Sequence, residues 1–166
     1  MRIRVCSLAG IAESRDFGAE YLVSVIGPAL TGPEMRPPWI QEDSHFVFHF
    51  DDVVDPGYPT GPKREHLVEI VDLGRELCAP DSSAAVLIHC AAGISRSPAT
   101  AFIFFCIHLG PGRENEALTR TAQNSESPWI WPNALMVRYA DEMLGREGHM
   151  VRTLTDWESG RLTVPA

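Results

Sequence analysis

The sequence predicts an α/β fold with a central, largely parallel sheet flanked by helices. Three observations predict it. Strand-like and helix-like segments alternate along the chain, the apolar run 84–88 is short and partly β-branched, and the apolar run 99–107 is long enough for a buried helix. With 166 residues, 45% of them hydrophobic and 22% charged, the chain is expected to form one domain over residues 1–166.

Four segments are predicted as strands of this sheet. The first alternates polar and apolar residues and is expected at an edge, and the others are short apolar runs, the third of them rich in aromatic residues. The four segments are 1–8, 20–26, 45–50 and 84–88. Residues 10–17 are expected to form a short helix or loop. The Pro- and Gly-rich residues 31–38 are expected to be irregular, with Trp39 and Ile40 fixing them to the domain body.

Apolar spacing and breaker residues predict four helices and a helical tail. The helices are 62–78, opened by Pro62, then 99–107, 114–122 and 134–144. Asn133 is the predicted N-cap of the last one. In the tail, 145–166, four residues fit one helical face and are expected to dock onto the core: Met150, Val151, Leu154 and Trp157.

The stretch 89–98, between the strand 84–88 and the helix 99–107, carries the most specific chemistry. Cys90 stands at the mouth of a tight loop in which Gly93 permits a backbone conformation that other residues resist. A loop before a helix N-terminus presents free N–H groups and a positive dipole end. Arg96 adds a planar fork suited to two oxygens of a phosphate. Such a setting stabilises the thiolate of a cysteine and lowers its pKa.

The neighbours of this pair have predicted supporting roles. Ser97 is placed to donate a hydrogen bond to the Cys90 sulfur, and Pro98 fits the first turn of the following helix. His89 is expected to hold the loop through a backbone hydrogen bond rather than to act as a base. The fuller string H-C-x-x-G-x-x-R-S is far more specific than a bare C-x5-R, and it falls between a strand and a helix as the chemistry requires.

The residues from His89 to Ser97 resemble the signature of the cysteine-dependent protein tyrosine phosphatases, and AGISRS is most similar to the dual-specificity branch and to small bacterial enzymes related to it. The Trp-Pro-Asn ending at Asn133 is similar to the Pro-Asn before the last helix of dual-specificity phosphatases. The resemblance covers a catalytic core of about 45–144. It implies hydrolysis of a phosphate monoester through a cysteinyl-phosphate intermediate, without a cofactor.

The loop 51–62 is acidic and rich in Pro and Gly, and it offers the carboxylic acid that such a reaction needs to protonate its leaving group. Related phosphatases carry this acid on a loop upstream of the cysteine. Asp52 closes Phe-Asp-Asp, which resembles the Phe-x-Asp of small dual-specificity-like enzymes. Asp55 opens Asp-Pro-Gly-Tyr-Pro, which resembles the Asp-x-Gly-x-Pro of tyrosine-specific enzymes. Asp52 is favoured, with Asp55 as the alternative and Asp51 a third acid of the cluster.

The expected substrate is a phosphotyrosyl protein or another aryl phosphate, and the substrate-binding residues are those of the loop with Arg96. The loop positions are uncharged, which disfavours a polyanionic inositol phosphate: Ala91, Ala92, Gly93, Ile94 and Ser95. Phosphoserine and phosphothreonine stay open, because they depend on pocket depth. Three rivals also remain: a pseudophosphatase that only binds phosphoprotein, an arsenate reductase or rhodanese-like enzyme, and a thiol redox sensor.

Composition limits the partners and the compartment. A net charge of −8 at pH 7 argues against nucleic-acid and anionic-membrane partners, and no run of the sequence is apolar enough for a membrane span or a signal peptide. A reactive thiolate needs a reducing compartment, so the cytoplasm is expected. The four cysteines lack C-x-x-C spacing and predict neither zinc nor disulfides. His45 and His49 share a strand face, but without further ligands they predict no metal site. The oligomeric state is open.

Overall fold

The computed structural model describes residues 1–30, 36–79 and 81–163. Its centre is a four-stranded sheet in the order β1-β4-β2-β3, and every neighbouring pair is parallel. The strands are β1 (Arg2–Cys6), β2 (Tyr21–Ile26), β3 (His45–His49) and β4 (Ala85–His89). The predicted fold class is confirmed, and the predicted irregular segment 31–38 falls largely outside the described residues.

The described residues form five α-helices, which follow the pattern of apolar residues in the sequence. They are α1 (Arg64–Leu77), α2 (Arg96–Leu109), α3 (Glu114–Gln123), α4 (Ala134–Met143) and α5 (His149–Glu158). The apolar helix α2 packs directly on the sheet and is surrounded by α1, α3 and α4. Within the described ranges, no helix combines the length and the apolar character needed to cross a bilayer.

Side chains alternate between the two faces of the sheet along each strand. The main core lies on one face and a smaller cluster lies on the other. Val86 and Ile88 of β4 face the helices and join the main core. Leu87 faces the other side and packs in a smaller cluster with Ile40 and with Ile11 of the 3-10 segment Ala9–Phe17. Ile40 is 1% exposed and fixes the adjoining residues 36–39 to the domain.

The edge strand β1 has its outer side partly occupied. Asn124 O accepts a hydrogen bond from Val5 N–H at 2.9 Å, and Val5 O accepts one from Glu126 N–H at 2.8 Å. Ser125, between them, forms a parallel bridge with Val5. The segment after α3 therefore supplies part of a fifth strand and covers backbone groups that an open edge leaves unpaired.

Helix boundaries differ from the predicted ones at two starts. Lys63 is extended, so α1 begins at Arg64 and Pro62 lies before it. α2 begins at Arg96, three residues before the predicted 99, because the polar turn of the Cys90 stretch already winds into the helix. In the tail, Met150 and Leu154 are buried as predicted, whereas Val151 is 37% exposed and Thr153 takes the inner position instead.

Candidate active site

The loop at the carboxyl end of β4, residues 90–96 (the Cys90 loop), turns tightly over the end of β1. Gly93 has a φ of +73°, and a Cβ at this position would lie 2.8 Å from the carbonyl carbon of Cys6 and from the nitrogen of Ser7. Backbone approach of this kind excludes any side chain. Leu8 N–H donates a 3.1 Å hydrogen bond to Ala91 O, so the chain after β1 forms the floor of the loop.

The thiol of Cys90 is buried under this loop and accepts two hydrogen bonds. Gly93 N–H donates to Sγ at 3.2 Å, and Ser97 Oγ donates to it at 3.1 Å. Burial alone would raise the pKa of Cys90, but the hydrogen bonds from Ser97, Gly93 and Ser95 outweigh it and lower that pKa below the ordinary thiol value. The predicted Ser97 contact is present.

Arg96 is 7% exposed, and one side of its guanidinium is fixed by Phe50, the residue before the acidic loop. Nη1 donates a 2.7 Å hydrogen bond to the carbonyl of Phe50. Nε is buried and finds no acceptor in the described part of the chain; it lies 4.0 Å from Asp52 Oδ2. A buried charged donor without an acceptor is costly, and the planar fork suits an oxyanion placed beside the Cys90 sulfur.

The three aspartates of the acidic loop, residues 51–62, have different hydrogen-bond partners. Asp52 reaches the Cys90 loop, where its Oδ1 accepts hydrogen bonds from Ser95 Oγ at 2.6 Å and from Asn133 Nδ2 at 2.8 Å. Asp51 accepts from Thr60 Oγ1 at 2.5 Å, and Asp55 accepts from the backbone of Gly57 at 2.8 Å. Asp52 is thus the aspartate that the structure brings to Arg96, while Asp51 and Asp55 stabilise their own loop.

Asn133 joins three elements. Its Oδ1 caps α4 by accepting from the N–H groups of Leu135 and Met136, both at 3.1 Å, which confirms the predicted N-cap. Its Nδ2 binds Asp52 and also the carbonyl of Val53 at 3.2 Å. The preceding segment runs along the Cys90 loop, because Trp131 N–H donates to Ile94 O at 2.7 Å.

His89 lies below the loop in a buried polar chain that crosses the sheet. Its Nε2 is 2.5 Å from Ser24 Oγ, and Ser24 Oγ is 2.8 Å from His45 Nε2. Its Nδ1 is 3.3 Å from Cys90 O, the backbone contact expected for a residue that holds the loop. Burial lowers the pKa of His89 to about 4, so the ring is neutral near pH 7.

Sequence reasoning missed Ser24 and the Phe50 carbonyl. Ser24 is the one polar residue of the otherwise apolar β2, and it lies opposite His89 in the sheet register. That interruption was the available signal. Among residues 1–30, 36–79 and 81–163, no group of three His, Cys, Asp or Glu side chains is placed to hold a metal ion.

The other three cysteines differ from Cys90 in their surroundings. Burial raises the pKa of Cys6 to about 11 and that of Cys78 to about 12, and it raises the pKa of Cys106 further. Cys6 lies opposite His89 in the register of β1 and β4. Cys90 is therefore the one cysteine of the four whose pKa lies below the usual value.

Comparison with known proteins identifies the fold. No family model and no curated protein matches the chain, but solved structures do. Human DUSP28 superposes with a TM-score of 0.61 at 18% identity, covering 90% of this chain and 94% of that one. The PTP-2 phosphatase of Cydia pomonella gives a TM-score of 0.61 at 18% identity, with 86% and 85% covered.

A third similar structure is the human tyrosine phosphatase-like serine/threonine/tyrosine-interacting protein, with a TM-score of 0.55 at 16% identity, covering 84% of this chain and 85% of that one. The chain therefore has the fold of the dual-specificity phosphatases. At these identities the similarity describes the fold, and the chemistry rests on the residues of the site.

Proposed function

We propose that this chain is a phosphoric monoester hydrolase that works through a cysteinyl-phosphate intermediate on Cys90, with phosphotyrosine or another aryl phosphate as substrate. One observation carries the proposal: the hydrogen-bonded Cys90 sulfur belongs to the same loop as Arg96, whose buried Nε has no hydrogen-bond acceptor among the described residues and lies 4.0 Å from Asp52 Oδ2. The arrangement supports a scheme in which Cys90 attacks, Arg96 stabilises charge and Asp52 transfers a proton.

In the first step the Cys90 thiolate attacks phosphorus in line with the ester bond. The S–P bond forms as the P–O bond breaks, and the leaving oxygen takes a proton from the Asp52 carboxyl group. The backbone N–H groups of the Cys90 loop and the Arg96 guanidinium stabilise the three phosphoryl oxygens, which carry the charge of the transition state. Proton donation by a placed carboxylic acid contributes about 10²–10⁴-fold.

In the second step water hydrolyses the intermediate. The Asp52 carboxylate takes a proton from the attacking water, an O–P bond forms, and the S–P bond breaks to return the electron pair to Cys90 as thiolate. Ser97 supports this departure, because its hydroxyl already donates to Sγ at 3.1 Å. Inorganic phosphate leaves and the starting protonation states are restored.

Asp52 is proposed as the acid in preference to Asp55. Both lie on the acidic loop, but the hydrogen bonds of Asp52 to Ser95 and Asn133 hold it over the Cys90 loop. The carboxylate of Asp55 instead bonds to the backbone of Gly57 within its own loop. Asn133 and Ser95 are positioning residues in this scheme, since they act through Asp52.

The solvent-exposed surface of the Cys90 loop favours a leaving group without charge. Ala91, Ala92 and Ile94 are exposed at the loop surface and carry no charge. A phosphorylated protein is the proposed natural substrate class. The thiolate chemistry requires a reducing compartment, which supports the cytoplasm as the place of action.

The test is phosphate release from 4-nitrophenyl phosphate by the wild type and by Cys90→Ser, with acid-quenched protein analysed for phosphate bound to sulfur. We expect turnover and a transient Cys90 phosphoenzyme in the wild type, and neither in the variant. Phosphopeptide binding without phosphate release would assign a binding module instead. An inert wild type whose Cys90 reacts with peroxide at neutral pH would favour the redox-sensor alternative.

A further inference from the structure

Large apolar side chains gather on the surface around the Cys90 loop. The described residues include nine exposed large hydrophobic residues, and five of these belong to the Cys90 loop or to the two segments hydrogen-bonded to it. Patches of this kind on a soluble domain mark binding surfaces far more often than isolated exposed residues do. The five, here called the collar, are Val54, Tyr58, Ile94, Trp129 and Trp131.

Two tryptophans form one side of the collar. Ile130, between them, is 3% exposed, and its carbonyl accepts a hydrogen bond from Trp157 Nε1 at 3.3 Å. Trp129 and Trp131 point outward and are 79% and 59% exposed. The backbone bond from Trp131 to Ile94 places the second tryptophan next to the 38% exposed Ile94. Tryptophan is highly buried on average, so two exposed tryptophans beside the Cys90 loop indicate a surface that binds a ligand.

The acidic loop forms the other side. Val54 is 62% exposed, and its neighbour Val53 is held by Asn133, two residues after Trp131. Tyr58, 45% exposed, lies further along the same loop. The collar thus lies on two sides of the position proposed for the phosphate. It flanks the path that a leaving group and its neighbours must take.

The charges on this surface limit what the collar can receive. The acidic loop carries three aspartates, and the ammonium of Lys63 is bound to the carbonyl of Tyr58 at 2.6 Å. The Lys63 ammonium keeps its charge because this acceptor is neutral, but the three aspartates outnumber it, so additional negative charges on a substrate would meet a loop of net negative charge. Apolar side chains next to the phosphorylated one meet complementary surface.

We propose that the collar binds large apolar side chains next to a phosphotyrosine, so that the substrates are phosphotyrosyl segments with apolar rather than acidic neighbours. Trp131 and Trp129 are then specificity-determining residues. This proposal rests on the proposed phosphatase function and adds the sequence context that the substrate must have. Aromatic side chains provide the most binding free energy at such surfaces, because their area is large and their entropy cost is small.

The experiment compares kcat/KM for three phosphotyrosyl peptides that are identical except for leucine, serine or glutamate on both sides of the phosphotyrosine. We expect the wild type to prefer the leucine peptide over the serine peptide by about tenfold, with the glutamate peptide last. Trp131→Ala and Trp129→Ala should each reduce the leucine-to-serine ratio several-fold. Because each ratio is measured within one variant, any general loss of activity cancels.

The matched control is Val151→Ser, which removes an exposed apolar side chain from α5 outside the collar, and we expect it to keep the wild-type ratio. Equal kcat/KM for the leucine and serine peptides in an active wild type would overturn the collar proposal and leave the proposed function standing. No hydrolysis of any peptide or of 4-nitrophenyl phosphate would refute the proposed function itself. A wild-type dimer that Trp129→Ala makes monomeric, with unchanged peptide ratios, would assign the collar to self-association instead.

Discussion

The side-chain amide of Asn133 donates a 2.8 Å hydrogen bond to the carboxylate of Asp52, joining the start of α4 to the acidic loop. The same side chain caps α4 through its oxygen. One residue therefore combines a structural task with the positioning of the proposed acid, and substitution can separate the two tasks.

Asn133→Ser should keep the cap and lose the bond to Asp52, because serine accepts from the first helical N–H groups but is too short to reach the acidic loop. We expect unfolding free energy close to that of the wild type and a fall in kcat of about tenfold. Asn133→Ala should lose a further 1 kcal/mol or so of stability. Urea unfolding and steady-state kinetics measure the two effects. An unchanged kcat in Asn133→Ser would contradict the positioning role.

Asp52→Asn should remove proton donation, and its effect should depend on the leaving group. We expect kcat to fall about 10²–10³-fold for an alkyl or phenyl phosphate and much less for an ester whose leaving oxygen is weakly basic, because such an oxygen departs without a proton. Asp55→Asn is the matched control and should show the wild-type dependence on leaving-group basicity. If the two variants exchanged behaviour, Asp55 would be the acid.

Ser97→Ala should raise the pKa of Cys90, because the hydroxyl hydrogen bond favours the thiolate. The thiolate is the reactive form, so alkylation by iodoacetamide speeds up as pH rises through this pKa. In the wild type that rise lies below the ordinary thiol value of 9.0, and the variant should move it to higher pH. Cys90→Ser is the control and should abolish the reaction in the folded protein. A rise at unchanged pH in Ser97→Ala would refute this role.

Gly93→Ala should destroy the Cys90 loop, since the added Cβ meets the backbone of Cys6 and Ser7 at 2.8 Å. Gly18→Ala is a matched control, because Gly18 has a similar φ of +67° but nothing within 4 Å of its Cβ position. The control should cost about 1 kcal/mol of stability and keep full activity. Gly93→Ala should lose more stability and nearly all activity. Thermal unfolding and turnover, measured on both variants, distinguish the two costs.

His89 should make the fold sensitive to mild acid. Its pKa is about 4 in the folded chain against 6.5 for an ordinary histidine. As pH falls from 6.5 towards 4, the unfolded chain takes up a proton that the folded one does not, and the free energy of unfolding decreases by about 2 kcal/mol at pH 5. Urea unfolding at pH 7 and pH 5 measures this slope. His89→Gln should reduce the slope and leave the contributions of His45 and His66, whose pKa values burial also lowers, whereas replacement of the exposed His49 serves as the control.

Much of the fold follows from local sequence patterns. The runs that became β2, β3 and β4 are short, apolar and bounded by breakers, and the apolar spacing of α1 and α4 specifies helices independently of their neighbours. The start of α2 is harder to predict from the sequence, because residues 96–98 combine polar side chains with proline. These residues become helical only when the Cys90 loop folds over β1. Helical periodicity predicts an inner position for Val151, but Thr153 occupies that position and bonds to Asn115.

The site divides in the same way. Cys90, Arg96 and Ser97 lie within one short motif, so their proximity is local and the sequence predicts it. The Phe-Asp-Asp pattern favours Asp52 over Asp55 only by resemblance, whereas the contacts of Asp52 with Ser95 and Asn133 join residues distant in sequence and depend on the fold. Ser24 and the Phe50 carbonyl also lie outside the local motif, because both reach the site through tertiary packing.

The floor of the Cys90 loop comes from the end of β1, and β2 separates β4 from β3. A fragment restricted to residues 45–144 would lack both β1 and β2. During synthesis these two strands emerge first and remain without β4 until its residues leave the ribosome, and pairing at such sequence separation is intrinsically slow. We therefore expect the Cys90 loop to be among the last features to form, and phosphate or another oxyanion present during refolding should stabilise the closed loop and increase the yield of active protein.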